Sequence, residues 1–525
     1  MPPLPTISDY ALMFGLNPDT ARPLGFHQFE YLLGPLDDLA PRVVLMKGAQ
    51  VGATVLAVLR ALWFVDVKQA HTLYLFPTHR SALRFSRGRL AVLIEQSPHL
   101  RRLFGKSSGS KTHLRAGHVN WYCHGGRSRV ELLSMPVQYL TIDERDAMYE
   151  SHPLGHTAWS AVELARQRLA GQTEAWELDL STPTVPGRGI ALDFAQSDQR
   201  HFEPRCPACG RWVRLAWPDA VAGFDGLPAA ASWRCPRCRT LWSTAERAAA
   251  LAAGVWVLDA PAQSVHGYHL PQLLAAAQTP QRLAAAWQAA QGNPAALQVF
   301  WNATLGLPYV AEGARLEARY LEEAVARGGY PMELTSPAKR VLGVDVGPAW
   351  LHCVVAEPLS PGLRLTWIGK LPDWHELSAM LDQYALAAIV LDGQPETHQA
   401  REFALRHPAG YLCYYVGSDR GVSVDSVARI LRTPRTESLD AMFLLWRRGQ
   451  VWLPAQTPGE FMLHMQSLVR LYRAGRDGTI RAEYVEAGGP DHYAHALTYC
   501  HLAGLLARAS GTQAAMASGG SVFSW

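Results

Sequence analysis

Residues 47 to 54 read Lys-Gly-Ala-Gln-Val-Gly-Ala-Thr, a run whose one cation and small residues are the groups that wrap a phosphate chain. In the usual pattern the lysine precedes the final Ser/Thr and reaches the β and γ phosphates, while backbone N–H groups line the cradle. Here Ala53 holds that slot and the cation has moved to the first position. Both ends of such a loop curl around the same phosphates, so Lys47 still reaches them. Gly48, Ala49, Gln50, Val51 and Gly52 then supply backbone donors, and Thr54 a hydroxyl. The alternative is a strand-to-helix turn without a ligand. Arg42–Met46 is a short apolar strand pattern and Val55–Leu62 a helical one, so the loop joins a buried strand to a helix N-terminus, where anions are favoured.

A second element strengthens the nucleotide reading. Tyr139–Ile142 is a buried-strand pattern that ends in Asp143 and Glu144. Asp143 is placed to hold Mg²⁺, directly or through water, and Glu144 to polarise an attacking water. The competing explanation is an acidic cap at a helix start. A third strand, Glu177–Leu180, runs into Ser181 and Thr182, whose hydroxyls stand where a γ-phosphate could be sensed and its hydrolysis coupled to movement.

Cys206 and Cys209, then Cys235 and Cys238, form two Cys-Pro-x-Cys turns. Four thiolates in two turn-borne pairs close a tetrahedral, structural Zn²⁺ site. Trp212–Leu215 and Leu241–Trp242 are expected as short strands beside the knuckles. Disulfides are the alternative, disfavoured in a reducing compartment. Cys123, Cys353, Cys413 and Cys500 lie in apolar surroundings and read as buried thiols.

Further on, Arg340–Val346 is an apolar strand with Asp345 near its end, Leu351–Ala356 a second strand, and Ala387–Leu391 a third that ends in Asp392. Two carboxylates from neighbouring strands can bind Mg²⁺ or Mn²⁺ and activate water against a phosphodiester. A third ligand is expected on a late helix beginning near Pro490. Asp491 is its only carboxylate and is equally an N-terminal cap; His492 or His495 could ligate or orient water instead. Glu396 and Asp440 sit in amphipathic helical patterns and read as solvated charges.

The chain has 525 residues, 48% hydrophobic, enough for two or more cores. Its formal charge of +4 neither demands nor excludes nucleic acid. Arg80, Arg84, Arg87, Arg89, Arg101, Arg102, Lys106 and Lys111 form a local basic cluster, either a solvated face or a DNA track. No segment is apolar and long enough to span a membrane and no signal-peptide pattern opens the chain, so an intracellular protein is expected.

An ATPase core, a four-cysteine ribbon and a strand-borne aspartate pair, in that order, resemble a tailed-phage terminase large subunit of the GpA type. Phe300–Pro308 is similar to that family's Phe-x-Asn…Gly-x-Pro signature. The resemblance implies an α/β chain: a P-loop ATPase domain of the ASCE type with an inserted zinc ribbon, followed by a ribonuclease-H-like nuclease domain. The expected limits are 1–200 for the ATPase domain, 201–245 for the ribbon and 246–311 for a helical completion. A linker at 312–339, the nuclease at 340–510 and a flexible tail at 511–525 follow. It also implies ATP as fuel, Mg²⁺ (or Mn²⁺ at the nuclease), double-stranded DNA as substrate, and a portal protein and terminase small subunit as partners. A homo-oligomeric ring on the procapsid portal and the host cytoplasm are the implied setting. Carried over by position, Gln28 contacts adenine, and Arg84 or Arg87 is an arginine finger. Where relatives show Asn-His-x-x-Asp, this chain has Asp491-His492-Tyr493-Ala494-His495. Either Asp491 substitutes, or His495 is the third ligand, or the nuclease is weakened. The rival readings are a DNA-remodelling ATPase whose second domain binds without cutting, and a transposase-like recombinase.

Overall fold

The computed structural model describes residues 4–14, 24–105, 112–126, 132, 135–148, 160–261, 263–332, 339–382, 386–417, 421–474 and 479–513. They divide into two compact units, Met1–Tyr309 and Val310–Trp525.

The first unit is built on β1 (Arg42–Lys47), β2 (Thr72–Phe76), β3 (His113–Ala116), β4 (Val119–Gly125), β5 (Tyr139–Asp143), β6 (Trp176–Ser181) and β7 (Arg200–Glu203). β8 (Val221–Ala222), β9 (Ser232–Arg234) and β10 (Leu241–Trp242) form a separate small sheet, and β11 (Val255–Leu258) and β12 (His266–Leu270) return to the main one. The order β11-β7-β12-β1-β6-β5-β2-β4-β3 is parallel through its centre, with antiparallel pairs at both edges. β1, β2 and β5 are buried almost throughout, which is why they read as continuous apolar runs rather than alternating ones. Acidic residues on β6 are tolerated because they are paired: Arg42 and Arg166 meet Glu177 and Asp179 at 2.7 to 3.2 Å. One strand, β6, separates the loop-bearing β1 from β5, so all three deliver their C-terminal residues to one edge of the sheet.

Several boundaries differ from the sequence reading. The segment 246–311 is not purely helical: β12 pairs directly with β1, because His266–Leu270 is an almost wholly buried strand. β7 belongs to the main sheet, so the ribbon begins after Glu203. Trp212 makes only an isolated bridge to Arg205, while the strands of the ribbon's small sheet are β8, β9 and β10.

The second unit opens with a helix, Ala318–Gly328, inside the stretch 312–339 expected as a linker. Leu321, Ala324 and Val325 recur at helical spacing and pack into the core of this unit. Its strands are β13 (Arg340–Val346), β14 (Leu351–Leu359), β15 (Gly362–Leu371), β16 (Leu386–Asp392), β17 (Gly410–Val416), β18 (Ser423–Asp425), β19 (Ile430–Pro434) and β20 (Val451–Trp452). The sheet order is β18-β19-β17-β16-β13-β14-β15-β20, with β13, β14 and β15 antiparallel and β16 parallel to β13, a ribonuclease-H-like arrangement. A hairpin of β21 (Leu468–Ala474) and β22 (Ile480–Glu486) precedes the long helix His492–Gln513, which packs across β13, β14 and β16. The approach is close: a Cβ on Gly343 would lie 2.0 Å from the Ala496 carbonyl oxygen. The expected tail, 511–525, overlaps the end of this helix to Gln513, and residues 514–525 lie outside the described residues.

Candidate active sites

Lys47 is the last residue of β1 and is buried. Its Nζ donates to Glu144 Oε1 at 2.9 Å and lies 3.5 Å from Thr182 Oγ1. Asp143 ends β5; its Oδ2 accepts from the Tyr74 hydroxyl at 2.9 Å, and its buried Oδ1 has no hydrogen-bond partner among the described residues. Burial, then the neighbouring Glu144, pushes the Asp143 carboxyl up to about 6, against the pull of Lys47. Glu144 turns the chain with a φ of 53°, a left-handed conformation uncommon for a residue with a side chain. Gly52, with φ 85°, caps the Ala53–Asp66 helix that carries Thr54.

The back of the loop is clamped. The Gly48 N–H donates to Leu270 O and the Ala49 N–H to Ala303 O, while Gln272 Nε2 donates to Ala49 O. These two amides are engaged inside the protein, which corrects the expectation that the whole run from Gly48 lines the cradle. Gly306, at φ 64°, is required here, since a Cβ would stand 2.6 Å from the Gly48 nitrogen. Asn302 donates to the carbonyls of Thr184 and Leu307 at 2.9 and 2.8 Å. Asp146 accepts from Thr184 N–H, Thr184 Oγ1 and Ile190 N–H, and its own N–H donates to Ser181 Oγ. The Phe300–Pro308 signature therefore packs against the phosphate loop and the segment after Ser181–Thr182 together. Tyr74, Asp146 and Gln272 were not singled out from sequence, since their partners lie on other strands and loops.

Gln28 is exposed, at φ 68°, with its N–H donating to Glu30 Oε1. Arg84 lies in the His79–Phe85 helix and Arg87 in the Ser86–Leu90 turn after it, both exposed, as are Arg80, Arg101 and Arg102. Lys106 and Lys111 lie outside the described residues.

The four cysteine Sγ atoms of the ribbon lie within 4.8 Å of one another, Cys206 and Cys238 at 3.8 Å. Zinc–sulfur bonds of ~2.3 Å in a tetrahedron set sulfurs ~3.8 Å apart, so the residues fit Zn²⁺. The two turns are equivalent: Cys209 N–H donates to Cys206 Sγ and Cys238 N–H to Cys235 Sγ, at 3.5 and 3.4 Å. Cys123, Cys353, Cys413 and Cys500 are buried free thiols, as read from sequence.

In the second unit, Asp345 pairs across the sheet with His352, and His492 opens the long helix with Nδ1 2.9 Å from Asp345 Oδ2. The three residues bring ligand atoms within 4.8 Å of one another. The His352 and His492 rings stack with centroids 4.5 Å apart. Burial, then His492, pushes the His352 imidazole down to about 4, whereas the hydrogen bond to Asp345 raises that of His492. Asp392 ends β16, parallel to β13; burial, then Asp345, pushes its carboxyl up to about 7. Asp491 and His495 do not join the Asp345 group. Asp491 is buried just before the helix, 3.2 Å from His495 Nε2 and 3.9 Å from Arg435, and His495 Nδ1 lies 3.0 Å from the Tyr415 hydroxyl. The i, i+4 spacing turns those two side chains toward each other, and His495 lies near enough to Asp392 to pull its carboxyl down against burial. Asp440 is likewise no solvated charge: Arg470 holds it at 2.9 and 3.0 Å and Tyr484 at 2.7 Å. Glu396 accepts from Trp374 Nε1.

Fold and site together define an ASCE-type P-loop unit with an inserted cysteine ribbon, followed in the chain by a ribonuclease-H-like unit. The model of the phage terminase large subunit gpA ATPase domain matches residues 31–256, and that of the terminase large subunit gpA endonuclease domain matches 265–356. The chain belongs to the GpA-type terminase large subunits. It is 24% identical over 320 residues to the terminase large subunit of Escherichia phage lambda, covering 54% of this chain and 49% of that one. It is 23% identical over 325 residues to that of Enterobacteria phage P21, covering 55% and 50%. The chain thus spans about half the length of the curated relatives it matches. The crystal structure of the HK97 bacteriophage large terminase superposes with a TM-score of 0.55 at 11% identity, covering 95% of this chain and 100% of that one. That likeness is one of fold.

Proposed function

We propose that this chain is an ATP-driven motor that moves double-stranded DNA into a viral procapsid and a metal-dependent endonuclease that cuts concatemers. The observation that carries the reading is the meeting of Lys47, Glu144 and Thr182 at 2.9 and 3.5 Å where β1, β5 and β6 end. With ATP bound, Lys47 neutralises phosphate charge and the loop from Gln50 to Thr54 cradles it. Glu144 orients and polarises the attacking water, and Ser181 and Thr182 pass the loss of the γ-phosphate to the chain. Mg²⁺ would be held by Asp143, whose buried Oδ1 is an oxygen donor of the right kind, and supplies charge neutralisation at the phosphates. Gln28 contacts adenine and Arg84 or Arg87 acts as the finger, roles that rest on family position. The ribbon is structural, held by Zn²⁺ on Cys206, Cys209, Cys235 and Cys238. In the second unit Asp345 and Asp392 face a divalent ion and the scissile phosphate. The partners are a portal protein and a small subunit. The setting is a ring of copies on the procapsid in the host cytoplasm.

A second reading, DNA binding without cutting, is favoured by one observation: Asp491, the expected third carboxylate, is taken up beside His495 and Arg435. Two assays test the proposal. Lys47→Ala is expected to abolish ATP hydrolysis and leave plasmid cleavage in Mn²⁺ largely intact; retained hydrolysis would overturn the phosphate-loop assignment. Asp345→Ala with Asp392→Ala is expected to abolish cleavage, and a silent wild type would favour the second reading.

A further inference from the structure

We infer that the metal centre of the second unit is built on Asp345, His352 and His492 and takes a first-row transition-metal dication such as Mn²⁺ in preference to Mg²⁺. This rests on reading the unit as a nuclease but concerns which ion it holds and by which atoms. Three observations converge. The ligand atoms of these residues lie within 4.8 Å of one another, a grouping that Asp392, Asp491 and His495 do not share among the described residues. They come from three separate elements, β13, β14 and the His492–Gln513 helix, so the cluster is made by the fold and not by a local run. His352 is only 5% exposed, and its Nδ1 has no hydrogen-bond partner among the described residues. A buried polar nitrogen left unpaired is costly, and a metal bond is one way such an atom is satisfied.

The ligand chemistry sets the preference. Mg²⁺ dehydrates reluctantly and selects oxygen donors, whereas imidazole nitrogen suits Fe²⁺, Ni²⁺, Cu²⁺ and Zn²⁺; Mn²⁺, the weakest binder of that first-row series, still accepts nitrogen more readily than Mg²⁺ does. A centre with two imidazoles among its ligands should therefore discriminate against Mg²⁺, where an all-carboxylate centre would not. Glu460 and His464, 3.9 Å apart, stand behind His352, with the His464 ring 5.6 Å from that of His352, and complete the polar surroundings.

The test is Mn²⁺ binding to the full chain, nucleotide-free and carrying one zinc per chain for the four-cysteine ribbon, read by electron paramagnetic resonance. Wild type is expected to bind Mn²⁺ with nitrogen modulation in pulsed spectra, and Mg²⁺ to displace it only in large excess. His352→Phe keeps the ring stack and removes both nitrogens; it should weaken this Mn²⁺ site by at least about tenfold. Asp491→Asn should leave it unchanged. Unaltered Mn²⁺ affinity in His352→Phe, bound Mn²⁺ without nitrogen modulation, or loss of the site in Asp491→Asn would each overturn the inference. The readout does not involve cleavage, so a chain that binds Mn²⁺ as described yet cuts nothing sinks the nuclease reading alone. Should His352→Phe fail to fold, the nitrogen modulation of wild type still decides.

Discussion

At the scale of residues, Lys47 and Glu144 neutralise each other across the ends of β1 and β5, and the same ammonium is the group that triphosphate would claim. On the proposed function, an arriving phosphate chain would compete for Lys47 and free the Glu144 carboxylate to act on water. Glu144→Gln keeps the shape and loses the basicity. Nucleotide binding by this variant is expected to stay near wild type while phosphate release falls by about a hundredfold or more. Filter binding alongside a phosphate-release assay checks this, and a parallel loss of binding would mean that Glu144 serves mainly to position Lys47. Lys47, Asp143 and Glu144 were legible in the sequence because each ends an apolar run whose own pattern announces a buried strand. His352 carries no such mark. Counting back through the turn at 347–350 does place it opposite Asp345, since Val346 pairs with Leu351, so the signal was the hairpin register and not a motif. Asp491 and His495 misled for a related reason: spacing on one helix says which residues share a face, not which strand that face meets.

At the scale of elements, β12 decides how the phosphate loop is backed, and it was the strand hidden inside a stretch read as helical. His269 on β12 is buried and its Nε2 lies 3.0 Å from Leu305 O, next to the Gly306 that packs on Gly48. Burial, then the neighbouring His201, pushes the His269 imidazole down to about 3. The sign follows: the folded chain keeps this ring neutral while the unfolded chain takes up a proton below about 6.5. Stability is therefore intact above that value and is lost as pH falls from about 6.5 toward 3. His269→Gln, which keeps an amide donor but cannot titrate, is expected to show a shallower drop in melting temperature between pH 7 and pH 5 than wild type. Equal slopes in thermal melts would remove His269 as a source of acid sensitivity, leaving half-buried His201 and its like to account for it. The Ala318–Gly328 helix was missed because its charged outward face dominates the composition of the stretch. Only its four inward residues, Tyr320, Leu321, Ala324 and Val325, record that it is packed.

For the whole molecule, the four-cysteine ribbon belongs to the first unit, and each unit has hydrophobic clusters drawn only from its own residues. A compact unit of this size buries enough apolar surface to fold unaided. Residues 1–309 and 310–525, produced as separate fragments, are expected each to melt cooperatively. The first should carry one zinc by elemental analysis. A strong chelator should then lower its melting temperature by several degrees, because binding free energy at a structural zinc site is folding free energy. The second fragment, prepared without added divalent metal, should melt at the same temperature with or without the chelator. A 1–309 fragment indifferent to the chelator would show that the small sheet of β8, β9 and β10 and the packing of Trp233 and Trp242 hold the ribbon without its metal. The two Cys-Pro-x-Cys turns would then be incidental to stability, and the reason for bringing four thiols within 4.8 Å would have to be sought elsewhere.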